Sequence, residues 1–187
     1  FVVDTVTKSK TKDTDITSTT SSYDVSWGRF RDVDSGIAEY QVFLGWSAGA
    51  DDVVSAVHLP SSAWTHTFAD ISDVVGDGGH VYATVRACDF AGNCAEKSSD
   101  GIMFDETPPV PSLDTGVLDT DYSSTATAAD ADVDIDISSS NRLRAVWPAF
   151  TDDESGIAYL KIQVESVLGS VSATKLKWSK LKASATS

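Results

Sequence analysis

Positive charge is scarce in this sequence. The 187 residues carry 14 Lys and Arg against 28 Asp and Glu, which gives a formal net charge of -14. Such a surface repels phosphate backbones, so the composition argues against nucleic-acid binding. Long apolar runs are also lacking. Because no stretch of about 18 apolar residues occurs, no membrane span is predicted in this segment.

Glutamate and helical periodicity are scarce as well. Only 5 of the acids are Glu and the others are Asp, while Ser and Thr together number 44. Aspartate is a poor helix former that caps turns with its short carboxylate. No stretch keeps a 3.6-residue apolar period over three turns. The sequence therefore predicts short strands joined by many loops, and the acid excess fits either solubility or cation binding.

An internal repeat organises the chain. Two copies lie 120 positions apart and share Trp, Phe, Asp and a Ser-Gly-Ile-Ala run, at Trp27–Ala38 and Trp147–Ala158. A shorter match, 101 positions apart, relates Asp4 to Asp105. Because these two offsets differ, the second copy is predicted to carry an insertion rich in Ser, Thr, Ala and Asp at residues 114–140.

The first copy, residues 1–107, has the pattern of a complete β-sandwich. Apolar and polar residues alternate along its clearest strand, where Val81, Ala83 and Val85 share one face. A glycine-rich turn at Gly76–Gly79 precedes that strand. The predicted strands are Tyr23–Phe30, Ile37–Leu44, Val53–Leu59, Trp64–Phe68, His80–Cys88 and Ile102–Phe104. Short strands at this spacing favour an all-β immunoglobulin or fibronectin type III sandwich.

The second copy, residues 108–187, is predicted to be a partial module of the same kind. The first copy runs 68 residues from Gly36 to Phe104, whereas 31 residues follow Gly156. Counterparts of the last two strands are therefore missing. A half sandwich leaves an apolar face and open strand edges. We expect the chain to be a piece of a longer tandem array, or its second half to be completed by another chain.

The repeated motifs resemble a known family. The Trp27 to Tyr40 segment, the run from Val85 to Asn93 and the Asp105–Pro109 linker are similar to the fibronectin type III and immunoglobulin-like tandem repeats of large extracellular proteins. Bacterial adhesins and algal and animal cell-surface proteins carry such repeats, and the filament proteins of flagellar mastigonemes are one example. The resemblance implies a non-catalytic structural or adhesive module, at the cell surface, with neighbouring modules or other copies as partners.

Cysteine is nearly absent, and the two cysteines lie close together. Cys88 and Cys94 flank the loop Asp89–Asn93, and a loop of this length between the ends of two chain segments brings the Cα atoms within the separation that a disulfide needs. A metal centre needs about four ligands, and a redox pair is usually Cys-x-x-Cys. The spacing therefore predicts a disulfide and an oxidising, extracellular compartment.

Acidic loops give the sharpest hypothesis for a site. In an immunoglobulin-like sandwich the loop after the second strand and the loop before the last strand lie at one end, and the incoming linker, which carries Asp4, enters there. Aspartate and asparagine oxygens are ligands that Ca²⁺ prefers. One predicted junction site uses Asp4, Asp32, Asp34, Asp89 and Asn93, and a second uses Asp105, Asp152 and Glu154. The alternative is that these residues cap turns beside Ser35 and Gly36.

Two Ser- and Thr-rich stretches are candidates for O-linked sugars, or are simply polar loops. Their candidate acceptors are Thr17, Ser18, Thr19, Thr20, Ser123, Ser124, Thr125 and Thr127. The linker Asp105–Pro109 is predicted to be semi-rigid, because proline fixes its own φ and restricts the residue before it.

Catalytic motifs are missing. No nucleophile elbow, P-loop or metalloprotease histidine pair occurs, so the chain is not predicted to be an enzyme. A second functional hypothesis is a calcium-stabilised accessory module that binds carbohydrate or protein, attached to a secreted enzyme or an adhesin. In that case Trp46, Trp64 or Trp178 would stack on sugars, although tryptophan more often lies in a core.

Overall fold

The computed structural model describes residues 1–5, 13–18, 22–112, 116–121, 143–168 and 171–182. Within these ranges the secondary structure is all β, with fifteen strands and no helix. No described helix has the length and apolarity that crossing a bilayer requires. The chain divides into two compact units, Phe1–Thr107 and Pro108–Ser187, and the division falls inside the linker Asp105–Pro109.

Nine strands build the first unit. They are β1 (Val2–Thr5), β2 (Ile16–Thr17), β3 (Ser22–Trp27), β4 (Ile37–Gly45), β5 (Val54–Pro60), β6 (Thr65–Ala69), β7 (His80–Asp89), β8 (Cys94–Ser98) and β9 (Ile102–Phe104). One antiparallel sheet has the order β1-β3-β6, with Val2 opposite Trp27 and Val25 opposite His66. The other has the order β2-β9-β7-β4-β5, and β8 also pairs with β7.

Both sheets contribute to one core. Tyr23, Val25 and Trp27 enter it from β3, while the apolar face of β4 and β7 enters from the second sheet. The Trp27 ring meets the Tyr40 ring edge-on at 5.5 Å between centroids, and Tyr23 meets Phe104 in the same way at 6.2 Å. The alternation predicted for β7 is observed, because Val81, Ala83, Val85 and Ala87 are all buried in this core.

Two strand predictions need correction. The strand beginning at Tyr23 ends at Trp27 instead of Phe30, because its partner β1 begins at Val2, opposite Trp27, and its partner β6 begins at Thr65, opposite Ser26. The strand β8 was not predicted. Its residues Cys94–Ser98 are mostly exposed and lack apolar alternation, since this strand lies on the edge of the sheet beside β7.

Six strands build the second unit. They are β10 (Val110–Pro111), β11 (Leu118–Asp121), β12 (Leu143–Val146), β13 (Phe150–Thr151), β14 (Tyr159–Leu168) and β15 (Val171–Lys182). They form three antiparallel pairs, β10 with β13, β11 with β12 and β14 with β15. The β14 and β15 hairpin repeats β4 and β5, because Leu160 opposes Leu181 as Tyr40 opposes Leu59.

The pairing of β11 corrects the predicted insertion at residues 114–140. Asp119 lies opposite Ala145, which is the repeat position of Val25, and Asp4 lies opposite Val25. The counterpart of Asp4 is thus Asp119, within Val117–Thr120, and not Asp105. Asp4 precedes Trp27 by 23 residues and Asp119 precedes Trp147 by 28, so the second copy is only slightly longer here.

Candidate functional site

The disulfide prediction is confirmed. Cys88 and Cys94 are bonded, with an S–S distance of 2.09 Å and a Cα–Cα distance of 4.2 Å. The two residues are direct partners in the β7 and β8 ladder, where Cys88 is buried and Cys94 is exposed. The bond therefore closes the loop Asp89–Asn93 at the end of a hairpin.

The Asp32 carboxylate organises the turn that precedes β4. Its Oδ1 accepts hydrogen bonds from the backbone N–H groups of Ser35 at 2.7 Å and Gly36 at 2.9 Å, and from the Ser35 hydroxyl at 3.2 Å. Gly36 has a φ of 77°, which favours glycine. These donors favour the ionised carboxylate, so they lower the pKa of Asp32 below its usual value.

The second unit makes the same turn before β14. Asp152 Oδ1 accepts from the Ser155 N–H at 2.8 Å, from the Ser155 hydroxyl at 3.2 Å and from the Gly156 N–H at 3.0 Å. Gly156 has a φ of 71°. The backbone donor of Ser155 comes first among the causes that lower the pKa of Asp152. Asp32 and Asp152 therefore both act as turn-capping residues.

Asp89 caps the disulfide loop in a similar way. Its Oδ1 accepts from the N–H groups of Ala91 and Asn93, each at 2.8 Å, and its Oδ2 accepts from the Asn93 side-chain amide at 3.0 Å. The Asn93 side chain comes first among the donors that lower the pKa of Asp89, and the Ser35 hydroxyl also contributes. The Ser35 contact links this loop to the Asp32 turn.

The structure thus brings part of the first predicted calcium set together. Asp32, Asp89 and Asn93 line one small cleft of about 150 Å³ at this end of the unit. Asp34 is exposed in the same turn, and its own N–H bonds to Asp32 Oδ1 at 3.1 Å. Much of the oxygen surface of Asp32 and Asp89 already accepts backbone N–H groups, which is what turn capping requires.

The structure does not bring Asp4 to that end. Its Oδ1 accepts from the Tyr23 hydroxyl, and its Oδ2 accepts from the Gly101 N–H at 3.2 Å. Gly101 directly precedes β9, which pairs with the first residues of β7, whereas Asp89 is the last residue of β7. Because β7 is ten residues long, Asp4 and Asp89 lie toward opposite ends of the unit.

Asp4 has an unusual environment for a carboxylate. It is fully buried, and burial raises its pKa to about 6. Hydrogen bonds from Tyr23 and Ser99 oppose this shift, while the nearby charges of Asp13 and Asp100 add to it. Carboxylate oxygens of Asp4, Asp13 and Asp100 all lie within 4.8 Å of one another. Sequence reasoning missed this cluster, because Asp13 and Asp100 stand far from Asp4 in the chain.

The second predicted calcium set is divided between the units. Asp105 belongs to the first unit, where it is buried and its Oδ1 accepts from the Thr107 N–H at 3.2 Å. Asp152 and Glu154 belong to the second unit. The junction site built from these three residues stays a prediction.

The glycosylation candidates fall mostly outside the described residues. Thr17 lies in β2, where it is partly buried, and Ser18 follows it and is exposed. The candidates outside the described ranges are Thr19, Thr20, Ser123, Ser124, Thr125 and Thr127.

Two of the three candidate sugar-stacking tryptophans are accessible. Trp46 is 45% exposed at the β4 to β5 turn, and Trp64 is 39% exposed just before β6. The side chain of Trp178 lies outside the described residues. Trp64 borders a cavity that also meets Arg29, Ser61 and Ser62. Sequence reasoning missed this cavity, although the signal was Arg29-Phe30-Arg31 in a chain with few cations.

Comparison with known proteins identifies no family for this chain. No protein-family model matches the chain. No curated protein matches it either. One solved structure with partial similarity is the spore cortex lytic enzyme SleM of Clostridium perfringens, at 18% identity and a TM-score of 0.35. The matched region covers 46% of this chain and 24% of the SleM chain, and a likeness this low says nothing about activity.

Proposed function

We propose that the chain is a non-catalytic structural and adhesive segment of a modular extracellular protein, in which modules space or polymerise a surface filament or matrix. The first unit has the sheet orders β1-β3-β6 and β9-β7-β4-β5, which support an immunoglobulin or fibronectin type III sandwich. The disulfide supports an oxidising location outside the cell. Neighbouring modules or other copies of the chain are the proposed partners.

The observation that carries the proposal is the unequal pairing of two equivalent strands. In the first unit β4 lies between β5 and β7. Its counterpart β14 pairs with β15, and no other described strand pairs with its second edge. An unpaired edge of this length is a template for another strand.

The apolar face behind β14 supports the same conclusion. Trp147, Phe150, Leu160, Ile162 and Leu181 line a cavity of about 110 Å³ in the second unit. In the first unit the residues equivalent to Trp147, Leu160 and Ile162 are covered by the full core and are at most 2% exposed. A strand added along β14 would supply the missing cover, with backbone hydrogen bonds for affinity and apolar side chains for specificity.

Light scattering and limited proteolysis of the full chain test this proposal. We expect concentration-dependent association, together with cleavage of residues 143–182 in dilute samples before cleavage of the first unit. The first unit, which contains the disulfide, is the internal control for access of the protease. A chain that is monomeric at every concentration and resists cleavage through residues 143–182 contradicts the proposal.

Calcium stabilisation belongs to the alternative, in which the chain is an accessory module for carbohydrate or protein. Its test is a thermal melt at increasing Ca²⁺, with Mg²⁺ as the control, because a ligand that binds the native state must stabilise it. An unchanged melting temperature at millimolar Ca²⁺ contradicts calcium binding. The exposure of Trp46 and Trp64 is the observation that favours the carbohydrate form of this alternative.

A further inference from the structure

Two adjoining cavities open on the first unit between the segment after β3 and the turn after β5. One measures about 190 Å³ and the other about 780 Å³. Both are lined by Arg29, Ser61 and Ser62, so the two cavities share a wall and together make one cleft in two parts. Trp64 borders the smaller part, and Arg31 and Asp32 border the larger part.

The walls of this cleft combine three kinds of chemistry. Trp64 presents an accessible aromatic surface, and Ser61 and Ser62 are exposed hydroxyl residues in a tight turn. Arg29 and Arg31 are exposed, and neither forms an ion pair with a described residue. The ion-paired arginine of this unit is Arg86, whose Nε bonds Glu96.

The two arginines are not needed to make the fold. The second unit has Ala149 and Thr151 at the corresponding positions, and it still forms the same Asp-Ser-Gly turn with the same hydrogen bonds. Phe150 and Asp152 are kept there, while both positive charges are absent. The repeated turn therefore does not require Arg29 or Arg31 for its formation.

Beside the smaller cavity, the buried Trp27 has a polar group without a partner in the described part of the chain. It also lines the smaller cavity, and it is 1% exposed. Its indole Nε1 is buried without a hydrogen-bond partner among the described residues. A buried donor without a partner is costly, and in native proteins such a group usually bonds an ordered water, so the polar demand beside this cavity is not met by the described residues.

We infer that this cleft binds an acidic oligosaccharide of the uronate class. The apolar face of a sugar ring packs on Trp64, ring hydroxyls bond Ser61 and Ser62, and a uronate carboxylate pairs with Arg29 or Arg31. A guanidinium matches a carboxylate with two parallel hydrogen bonds, which a neutral sugar cannot use. The Asp32 carboxylate also lines the larger part, but its Oδ1 accepts the backbone N–H groups of its own turn, and the two guanidinium groups outnumber it. Negative charge farther away is screened beyond about 8 Å at physiological salt, so the contact arginines decide the local attraction.

Titration calorimetry on the full chain tests the site with three probes of equal length: a galacturonate tetramer, a galactose tetramer and an aspartate tetrapeptide. The double variant Arg29→Ala with Arg31→Thr installs the second unit's own residues, and Trp64→Ala removes the stacking surface. We expect each to weaken galacturonate binding about tenfold or more. Lys97→Ala and Phe90→Ala remove an exposed cation and an exposed aromatic ring elsewhere on the first unit, and we expect binding within about twofold of the parent.

Four results would overturn the inference. These are no galacturonate binding by the parent chain, equal binding of the galactose tetramer, tighter binding of the aspartate peptide, or a loss in the Lys97 and Phe90 controls equal to that in the cleft variants. Circular dichroism melts confirm that each variant is folded before titration. The inference does not rest on the proposed assembly, since the cleft lies wholly in the first unit and a monomer can be titrated.

Discussion

Trp27 and Trp147 occupy the same position of the repeat, yet their surroundings differ. Trp27 is 1% exposed and packs edge-on against Tyr40, whereas Trp147 is only partly buried beside the cavity of the second unit. The turn that follows each tryptophan is nevertheless the same. The difference teaches that a few neighbouring residues determine the turn, whereas burial of the tryptophan depends on strands far along the chain, above all β7.

The largest expected effect concerns this tryptophan pair. Trp27→Ala should lower the free energy of unfolding of the first unit by about 3–5 kcal/mol, because it leaves a cavity in a packed core. Trp147→Ala should cost the second unit less than half as much. Urea unfolding followed by circular dichroism measures both, and equal losses would contradict the contrast in packing.

The next effect concerns Asp4 and its counterpart Asp119. The folded pKa of Asp4 is raised to about 6 from an ordinary value of 3.8, so the contribution of Asp4 to the stability of the first unit is fully present below pH 3.8. That contribution is lost as the pH rises toward 6 and beyond, up to about 3 kcal/mol in all. Asp4→Asn should remove this loss of stability at higher pH, because the amide does not ionise.

Unfolding free energies at pH 4 and pH 7 measure the Asp4 effect, and comparing the variant with the parent cancels the other carboxylates. Asp119→Asn is the matched control, since Asp119 occupies the equivalent strand position, is exposed, and lies outside the first unit whose unfolding is followed. A variant with Asn at position 4 that keeps the parent's pH profile would show that Asp4 is not the responsible group.

The disulfide is expected to have a smaller effect, confined to the first unit. Replacing Cys88 and Cys94 together by Ser should lower its unfolding free energy by about 2 kcal/mol, because the bond closes a short loop and removes little chain entropy from the unfolded state. Proteolysis of residues 143–182 should proceed at the parent's rate. Faster cleavage there would mean that the two units unfold together.

The smallest expected effect is the loss of the turn hydrogen bonds of Asp32 and Asp152, and it should be equal in the two units. Asp32→Ala and Asp152→Ala each remove the acceptor of the same turn hydrogen bonds, and both carboxylates have lowered pKa values. The stability that they contribute is present above pH 3.8 and is lost as the pH falls. Hydrogen exchange of the Gly36 and Gly156 amides should rise similarly in the two variants. A large difference would show that the turns depend on their surroundings.

Local patterns in the sequence predicted much of the first unit. The alternation of Val81, Ala83 and Val85 predicted β7, and the cysteine spacing predicted the disulfide. The acidic turn residues were identified by type, although their hydrogen bonds became visible only in the structure. These predictions succeed because each feature depends on residues that lie within about one strand length of one another in the sequence.

The features that were missed depend on distant partners. Asp4 was placed beside Asp32 and Asp89 because its strand was interpreted as a linker, while its burial depends on Tyr23 and Gly101. Asp105 was matched to Asp4 on a short motif, whereas pairing with β12 identifies Asp119. The cleft beside Trp64 also depends on two segments that meet only in the fold.

The positions of β1 and β9 have a mechanical consequence. The chain enters the first unit beside Gly28, near the Asp32 turn, and leaves after Phe104, beside Gly79 at the opposite end of β7. Tension applied across the unit would therefore act along the strands, and the ladder between β1 and β3 would be loaded in shear. Its hydrogen bonds would share the load together instead of opening one at a time, which would make the first unit a stiff link under force.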